Sequence, residues 1–203
     1  SGYQKFEINK NTRSINYLGK KFTYIDKLLE KINNEHNCES IVDIGCSSGL
    51  CSFIAYNNNY KQILCLDHDS EYIDVIKIIK NNCNIKEIKE EVYSFGDPIN
   101  QKFDVVLCGA LIHWIFSLTS NFRNFNSIIS YLITLTNKFL IIEFVESNDP
   151  AIKSFNHIKK RKKITDEEYN IHNFELAIIK FTNIILKDNN HCLTRPIYFL
   201  EKK

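Results

Sequence analysis

Short apolar runs alternate along this chain with segments whose apolar residues recur at helical spacing, and this alternation constrains the fold more than any other feature. A strand, a crossover helix and a second, parallel strand form the unit from which α/β sheets are built. The predicted strands are 40–44, 62–67, 84–88, 103–109, 138–145, 183–188 and 196–202. The predicted helices are 20–35, one that starts near Ser48, 70–82, 111–117, 122–136, 151–160 and 165–181.

The predicted strands fall into two classes. The runs 62–67 and 103–109 are almost continuously apolar, which is typical of parallel strands that are buried on both faces. The last two strands, in contrast, are close enough in sequence to pair as an antiparallel hairpin. We therefore expect an α/β three-layer sandwich with a mostly parallel seven-stranded sheet and an antiparallel C-terminal hairpin.

Length and composition indicate a single domain. The chain has 203 residues, of which 44% are hydrophobic, and this suits one substantial core rather than two. It begins Ser1-Gly2 and contains no methionine, which is typical of the remnant of a removed tag. This beginning leaves open that the chain is one domain of a larger polypeptide.

The charge balance demands no particular class of partner. Lys and Arg number 26 against 24 Asp and Glu, a net charge of +2, so neither nucleic acid nor a membrane surface is required. No apolar run approaches the roughly 20 residues that span a bilayer, and the N-terminus lacks the apolar core of a signal peptide. We expect a soluble, cytoplasmic protein with no membrane partner.

The cysteines are expected to be reduced thiols. There are seven, an odd number, and no two of them form a C-x-x-C pair. Several lie in apolar segments, where a free cysteine behaves as a small hydrophobic residue. Neither a disulfide framework nor a zinc site is expected, and no other cluster of residues has metal-ligand spacing.

The turn after the first predicted strand, 45-GCSSG-49, consists of small residues. Gly45 and Gly49 would let the backbone approach a ligand closely, and the helix that follows would present free N–H groups to it. Ligands of α/β sheets bind outside the carboxyl ends of the strands, where this turn is expected to lie. The spacing G-x-x-x-G is neither the dinucleotide fingerprint nor a P-loop. Tight packing of a helix on a strand would also require small residues, so the turn alone leaves both explanations open.

Two acidic residues narrow the choice of ligand. Asp43 precedes the first glycine, and Asp67 ends the second predicted strand. A carboxylate at the end of that strand can accept hydrogen bonds from both hydroxyls of a ribose. The sequence therefore favours a ligand that contains a nucleoside.

The pattern 42-VDIGCSSG-49, followed by 66-LDHDS-70, resembles class I S-adenosylmethionine-dependent methyltransferases. The resemblance covers nearly the whole chain, because the order of elements and the closing hairpin also match that fold. It implies a Rossmann-like core at 37–203, preceded by an N-terminal segment and helix at 1–36. It also implies S-adenosyl-L-methionine as cofactor, with S-adenosyl-L-homocysteine as product. The implied cofactor-binding residues are Asp43, Gly45, Cys46, Ser47, Gly49, Asp67, His68, Glu91, Val92 and Gly109.

The resemblance also assigns roles to some of these residues. The glycine turn would lie against the cofactor, Asp67 would hold its ribose, and Asp43 would orient the turn or meet the ammonium group through water. Glu91 and the backbone of Val92 would contact the adenine, although a solvated charged turn explains 90-EEVY-93 equally well. The family more often has glycine where this chain has Ser47.

The segment after the fourth predicted strand, 108-CGALIHWIF-116, is expected to face the methyl acceptor. His113 is the candidate general base, because the unperturbed pKa of histidine is nearest neutrality, and Trp114 beside it would contact the substrate. A histidine next to aromatic residues is also often a packing residue. Glu143 interrupts an apolar strand, and a buried carboxylate needs a partner or a task, so we expect it to orient His113 or to receive a substrate hydroxyl.

The expected acceptor is a sugar or glycan hydroxyl. The chain lacks the Asn/Asp-Pro-Pro-aromatic tetrad by which many amino-methylating relatives hold a planar amine. The segments 109–116 and 141–152 resemble a branch of the family associated with polysaccharide and nodulation-factor synthesis. Glu146 and Asp149 would then contact the substrate.

Two alternatives stay open. The basic run 159–163 could track the phosphates of RNA, which would make the protein an RNA ribose or cap methyltransferase, although the Lys-Asp-Lys-Glu set of the ribose enzymes is absent. The chain could also be a non-catalytic cofactor-binding or scaffold module. The presence of Gly45, Gly49 and Asp67 argues against a chain that has lost its cofactor contacts.

Overall fold

Nine strands and seven helices occupy the part of the chain that the computed structural model describes, residues 4–154 and 168–203. The strands are β1 Phe6–Ile8, β2 Ile15–Tyr17, β3 Ser40–Ile44, β4 Gln62–Asp67, β5 Ile88–Val92, β6 Phe103–Gly109, β7 Thr136–Glu143, β8 Thr182–Asp188 and β9 Ile197–Lys202. The helices are α1 Lys20–His36, α2 Leu50–Asn57, α3 Ser70–Asn82, α4 Ile112–Leu118, α5 Phe125–Leu135, α6 Pro150–Ser154 and α7 Ile171–Phe181.

Seven of the strands form the main sheet, in the order β5-β4-β3-β6-β7-β9-β8. The pairs β3–β4, β4–β5 and β6–β7 are parallel, whereas β9 is antiparallel to both β7 and β8. The predicted α/β architecture, with a mostly parallel seven-stranded sheet and an antiparallel C-terminal hairpin, is confirmed. β1 and β2 form a second, two-stranded antiparallel sheet.

The chain divides into two compact units, residues 1–97 and residues 98–203. In the first unit, α1 buries residues at i, i+3 and i+4 spacing, which is why this stretch forms an amphipathic helix. The parallel register of β4 and β5 pairs Asp67 with Val92. The carboxyl ends of these two strands are therefore adjacent.

The second unit has an aromatic core. The ring of Phe144 stacks on Phe174 and on Tyr169, with centroids 4.4 and 5.1 Å apart. The hydroxyl of Tyr169 donates a hydrogen bond of 2.7 Å to the carbonyl of Val145, so this buried polar group is satisfied. These contacts hold the chain directly after β7.

One predicted strand was misplaced. The prediction was 84–88, but β5 spans Ile88–Val92. Asn84 adopts a left-handed backbone with φ 50° in the turn after α3, which is incompatible with a strand there. β5 was not recognised because it contains acidic residues, which a strand tolerates best at the edge of a sheet. β5 is such an edge strand, and its Glu90 pairs with Lys80 of α3.

One helix start also differs from the prediction. α3 has its predicted bounds and is capped by Asp69, since this side chain accepts a hydrogen bond of 2.9 Å from the amide of Glu71. α7 begins at Ile171 after the cap Asn170, whereas a start near 165 was expected. Residues 155–167, which contain most of that expected start and of the helix predicted at 151–160, lie outside the described residues. The N-terminal hairpin β1–β2 was not predicted. The remaining predicted bounds are within three residues of those observed.

Candidate functional site

The turn between β3 and α2 has an unusual backbone. Gly45, Ser47 and Gly49 all have positive φ, of 74°, 51° and 85°. The amides of Gly45 and Cys46 donate to the carbonyl of Leu66 at 2.8 and 3.1 Å, which holds the turn against the end of β4. The left-handed conformation costs a serine about 1–2 kcal/mol. Glycine at the position of Ser47 would avoid this cost.

Gly49 also has a packing role. A Cβ atom there would lie 2.9 Å from Cγ1 of Ile76 and 3.3 Å from Cε2 of Phe53. Glycine is therefore required for the close approach of α2 and α3, as well as for the left-handed backbone. From the sequence, either packing or ligand binding could explain the small residues of this turn. At Gly49, packing alone is sufficient to explain the glycine.

The carboxylate of Asp67 is fixed in place by backbone amides. Its Oδ2 accepts from the amide of Ser47 at 2.8 Å, and its Oδ1 accepts from the amide of Asp69 at 3.0 Å. The Nδ1 atom of His68, whose side chain is 84% exposed, lies 3.2 Å from Oδ1. An ionised carboxylate offers about four lone-pair positions, so acceptor capacity remains after these bonds. Such a carboxylate suits a ligand with neighbouring hydroxyl groups.

Gln4 covers the glycine turn from the N-terminal side. Its Oε1 accepts from the hydroxyl of Ser48 at 2.9 Å and from the amide of Leu50 at 3.2 Å, while its Nε2 donates to the carbonyl of Cys46 at 3.4 Å. A cleft of about 630 Å³ lies beside Ser48, between residues of the β1–β2 hairpin and α3. Gln4 was not predicted, because a polar residue outside a periodic segment carries no sequence signal.

Asp43 is buried at the end of β3. Its side chain is linked to α2 by a hydrogen bond of 2.9 Å from the hydroxyl of Ser52. Burial raises the pKa of this carboxyl from its ordinary value to about 7; the Ser52 hydrogen bond opposes the rise and the nearby Asp67 adds to it. Asp43 therefore joins β3 to α2.

Asp43 makes the stability of the protein depend on pH. Because its pKa is higher in the folded than in the unfolded chain, the folded state binds this proton more tightly, and stability is lost as pH rises toward 7. Asp43→Asn stays neutral and should remove this loss. Between pH 5 and pH 8 the free energy of unfolding of the variant should gain about 3 kcal/mol relative to the parent.

Urea unfolding of both proteins at the two pH values checks this expectation. All other titrating groups are common to the two proteins, so the comparison isolates Asp43. If the free energy of unfolding depends on pH equally in the two proteins, the expected role of Asp43 is contradicted.

Glu91 and Val92 lie where adenine contacts were expected, at the carboxyl end of β5. Val92 is the register partner of Asp67, and its side chain is 59% exposed. Glu91 is exposed as well, unlike Glu90, whose carboxylate is paired. Both predicted residues are thus accessible beside Asp67.

His113 lies in the first turn of α4 and is only 3% exposed. Its ring centroid is 5.2 Å from that of Trp114. Burial, followed by the nearby Arg195, lowers the pKa of His113 to about 4, and the carboxylates of Asp149 and Glu143 oppose this shift. His113 is therefore a neutral imidazole at neutral pH.

Glu143, the last residue of β7, lies beside a histidine that the sequence did not predict. Its Oε1 is 3.6 Å from Nε2 of His191, and the two side chains are 3% and 6% exposed. The strand register places Glu143 opposite Gly109 on β6 and Ile197 on β9. The carboxylate of Glu143 also acts to raise the pKa of His113, and the predicted link between the two side chains stays a prediction.

Asp149 has a structural task. Its Oδ2 accepts from Thr194 at 2.6 Å and from Nε of Arg195 at 2.9 Å, and its Oδ1 accepts from a second Arg195 nitrogen at 2.9 Å and from the amide of Ala151 at 2.8 Å. Burial tends to raise the pKa of Asp149, but the bonds from Arg195 and Thr194 hold it near 2. All four acceptor positions are occupied, so no position is left for a substrate hydroxyl.

His191 and Arg195 were missed because both lie in the β8–β9 connection, 189–196. Such loops have no periodic pattern, and a lone histidine or arginine in one is usually solvated. Glu146, a predicted substrate residue, donates its amide to the carbonyl of Thr194 in this loop at 2.9 Å. Trp114 and Glu146 are both partly exposed.

Several sequence expectations concern absences. Among the described residues there is no group of three or more His, Cys, Asp or Glu side chains arranged to hold a metal ion. Within the same residues no helix combines the length and apolar character needed to cross a bilayer. None of the seven cysteines, all of which lie within the described ranges, forms a disulfide bond. The basic run 159–163 lies outside the described residues.

Residues 25–135, just over half of the chain, match the sequence profile of the family described as Ribosomal protein L11 methyltransferase (PrmA). The ribosomal protein L11 methyltransferase of Staphylococcus saprophyticus subsp. saprophyticus is 30% identical over 125 residues, which are 59% of this chain and 40% of that protein. The chain thus spans about two fifths of the length of this relative.

Solved structures of methyltransferases share the fold. Magnesium protoporphyrin IX methyltransferase (ChlM) from Synechocystis PCC 6803 with bound SAH has a TM-score of 0.65 at 13% identity, covering 90% of this chain and 84% of that one. N-methyltransferase NodS from Bradyrhizobium japonicum WM9 has a TM-score of 0.62 at 9% identity, covering 90% and 97%. At such low identities the likeness concerns the fold alone, and it confirms the expected class I methyltransferase fold.

Proposed function

We propose, from the premise that the chain belongs to the ribosomal protein L11 methyltransferase (PrmA) family, that it is an S-adenosylmethionine-dependent methyltransferase. The observation that carries the proposal is the carboxylate of Asp67, fixed by two backbone amides beside a turn with three positive φ angles. Bound S-adenosylmethionine would supply an electrophilic methyl group.

The residues of the first unit fit this cofactor. Asp67 would accept the ribose hydroxyls with the lone pairs that the amides of Ser47 and Asp69 leave free. The exposed end of β5, at Glu91 and Val92, is available to the adenine. Since Asp43 is buried and bonded to Ser52, we assign it to the orientation of the turn rather than to a direct contact.

The residues of the second unit fit proton transfer from a hydroxyl. Methylation of a hydroxyl oxygen requires that its proton be taken up, and the neutral imidazole of His113 can accept it at a ring nitrogen. Glu143 would stabilise the imidazolium that forms, because its carboxylate favours the charged form of His113. Trp114 and Glu146, both partly exposed, stay as proposed substrate contacts.

The proposed acceptor is a sugar or glycan hydroxyl. Its support is the pairing of a neutral base with a carboxylate, which suits a group that both donates and accepts hydrogen bonds. A ribosomal protein acceptor is the second candidate, since the family match favours it. That match ends at residue 135, however, and Glu143, Glu146 and His191 all follow it. The proposed base His113 and the proposed contact Trp114 therefore lie inside the matched region, whereas the two carboxylates proposed for the acceptor side lie outside it.

Calorimetric titration with S-adenosylhomocysteine tests the cofactor assignment directly. We expect saturable one-site binding, and a folded protein that binds neither S-adenosylhomocysteine nor S-adenosylmethionine would contradict the proposed function. Transfer of a labelled methyl group should then be screened across sugars, glycans, ribosomal protein L11 and RNA, with and without EDTA. Label on L11 but on no sugar would show that the acceptor is the ribosomal protein and not a sugar. Activity that is lost in EDTA and restored by magnesium would reveal a metal requirement.

A further inference from the structure

Helix α2 begins without a capping side chain of its own. Its N-cap residue is Gly49, which offers no side-chain acceptor to the first amides of the helix. A serine or aspartate would be strained there, because its Cβ atom would lie 2.9 Å from Cγ1 of Ile76 and the backbone is left-handed, with φ 85°. A side-chain cap for α2 must therefore come from another part of the chain.

Gln4, which lies two residues before β1, supplies this cap from 46 positions away. Its Oε1 accepts from the amide of Leu50, the first residue of α2, at 3.2 Å and from the hydroxyl of Ser48 at 2.9 Å. Its Nε2 donates to the carbonyl of Cys46 at 3.4 Å. A side-chain amide can do both, because its oxygen accepts and its nitrogen donates. Gln4 thus joins three alternate residues of the turn.

The residue between Cys46 and Ser48 is held by a different partner. The amide of Ser47 donates to Oδ2 of Asp67 at 2.8 Å. Ser47 has φ 51°, a left-handed conformation that a serine adopts only when its surroundings hold it there. Gln4 therefore fixes the turn on both sides of the residue that meets the carboxylate of Asp67.

The β1–β2 hairpin holds Gln4 in place. The ring of Phe6 packs against Phe53 of α2, with centroids 5.7 Å apart. Tyr17 of β2, the register partner of Phe6, donates its hydroxyl to the carboxylate of Asp26 on α1. The hairpin thus contacts both α1 and α2, and it presents Gln4 from an anchored element.

We propose that Gln4 is a positioning residue for the cofactor: it caps α2 and holds the glycine turn in the shape in which Ser47 orients the carboxylate of Asp67. Gln4 acts through the turn and does not touch the cofactor. Such a supporting group raises affinity because the site does not have to be ordered when the ligand binds. The role in cofactor binding rests on the proposed function, whereas the capping of α2 does not, because it is a property of the free protein.

Amide hydrogen exchange of the full chain, recorded without cofactor, tests the cap. In Gln4→Ala the amide of Leu50 loses its acceptor and should exchange about tenfold faster than in the parent. Gln4→Glu loses the longest of the three bonds but keeps an oxygen acceptor for Leu50 and Ser48, so the exchange of Leu50 should stay close to parental. If Gln4→Ala does not fold, Gln4→Met removes the same hydrogen bonds and keeps the length of the side chain.

Calorimetric titration with S-adenosylhomocysteine tests the positioning role. The affinity should fall about tenfold in Gln4→Ala and recover to within about threefold of the parent in Gln4→Glu. The titrations are made at a temperature at which every variant is folded, so a change in global stability alone would leave the affinity unchanged.

Asn11→Ala is the matched control, because it removes an exposed side-chain amide from the connection between β1 and β2. It should leave both measurements unchanged. Parental exchange of Leu50 in Gln4→Ala, parental affinity in Gln4→Ala, or an equal loss of affinity in Gln4→Ala and Gln4→Glu would overturn the proposal. A parent that binds no S-adenosylhomocysteine would contradict the proposed function and with it the cofactor role. A parent that binds it no more tightly than Gln4→Ala would contradict this inference alone.

Discussion

Replacing Asp67 with alanine is expected to weaken the binding of S-adenosylhomocysteine about a hundredfold or more. The substitution removes the carboxylate proposed to accept two ribose hydrogen bonds, and bonds to charged groups contribute about 1.5–3 kcal/mol each. It also leaves the amides of Ser47 and Asp69 without their acceptor, so the turn loses the contact that holds Ser47 in its left-handed conformation. Isothermal titration calorimetry of the two proteins measures the loss.

A matched control separates this effect from a general change in charge. Asp69→Asn removes one negative charge two residues away, and asparagine caps a helix about as well as aspartate. Its affinity for S-adenosylhomocysteine should stay within a few fold of the parent. Thermal unfolding of each variant checks that the fold is intact. Unchanged affinity in a folded Asp67→Ala protein would remove the main support for the cofactor assignment.

Replacing His113 with asparagine is expected to lower kcat by about 10²–10⁴, the usual contribution of a general base. The affinity for S-adenosylhomocysteine should stay near that of the parent, because His113 is not among the proposed cofactor contacts. The measurement uses steady-state rates with the acceptor that the methyl-transfer screen identifies. His172→Asn, the same substitution at an exposed position of α7, should leave kcat unchanged.

The pH profile gives a second test of His113. Because burial holds its pKa near 4, the imidazole is already in its basic form at pH 5, and the rate should be flat from about pH 5.5 to 8. The lowered pKa also means that the unfolded chain binds this proton more tightly, so the folded protein loses stability as pH falls from about 6.5 toward 4. Assays should therefore stay above pH 5.5. A kcat of His113→Asn close to the parental value would show that His113 is not the base and is a packing residue beside Trp114.

The sequence by itself determined the central strands and the position of the glycine turn between β3 and α2. β3, β4 and β6 were predicted at their observed bounds, because a parallel strand buried on both faces needs a continuous apolar run. Gly45 and Asp67 were predicted to lie together, since consecutive parallel strands bring their carboxyl ends to one edge of the sheet. The amide of Gly45 and the carboxylate of Asp67 are indeed both held at the end of β4.

Only the tertiary structure decided which polar side chains have structural partners. β5 was misplaced because its acidic residues gave no strand signal, and the pairing of Glu90 with Lys80 of α3 exists only in the folded chain. Asp149 was predicted as a substrate residue, but the loop before β9 brings Arg195 and Thr194 to three of its four acceptor positions, and the amide of Ala151 takes the fourth. His191 reaches Glu143 through the same loop. Periodicity reports which face of a segment is buried, whereas a contact between residues 48 positions apart forms only when the chain has folded and brought the two side chains together.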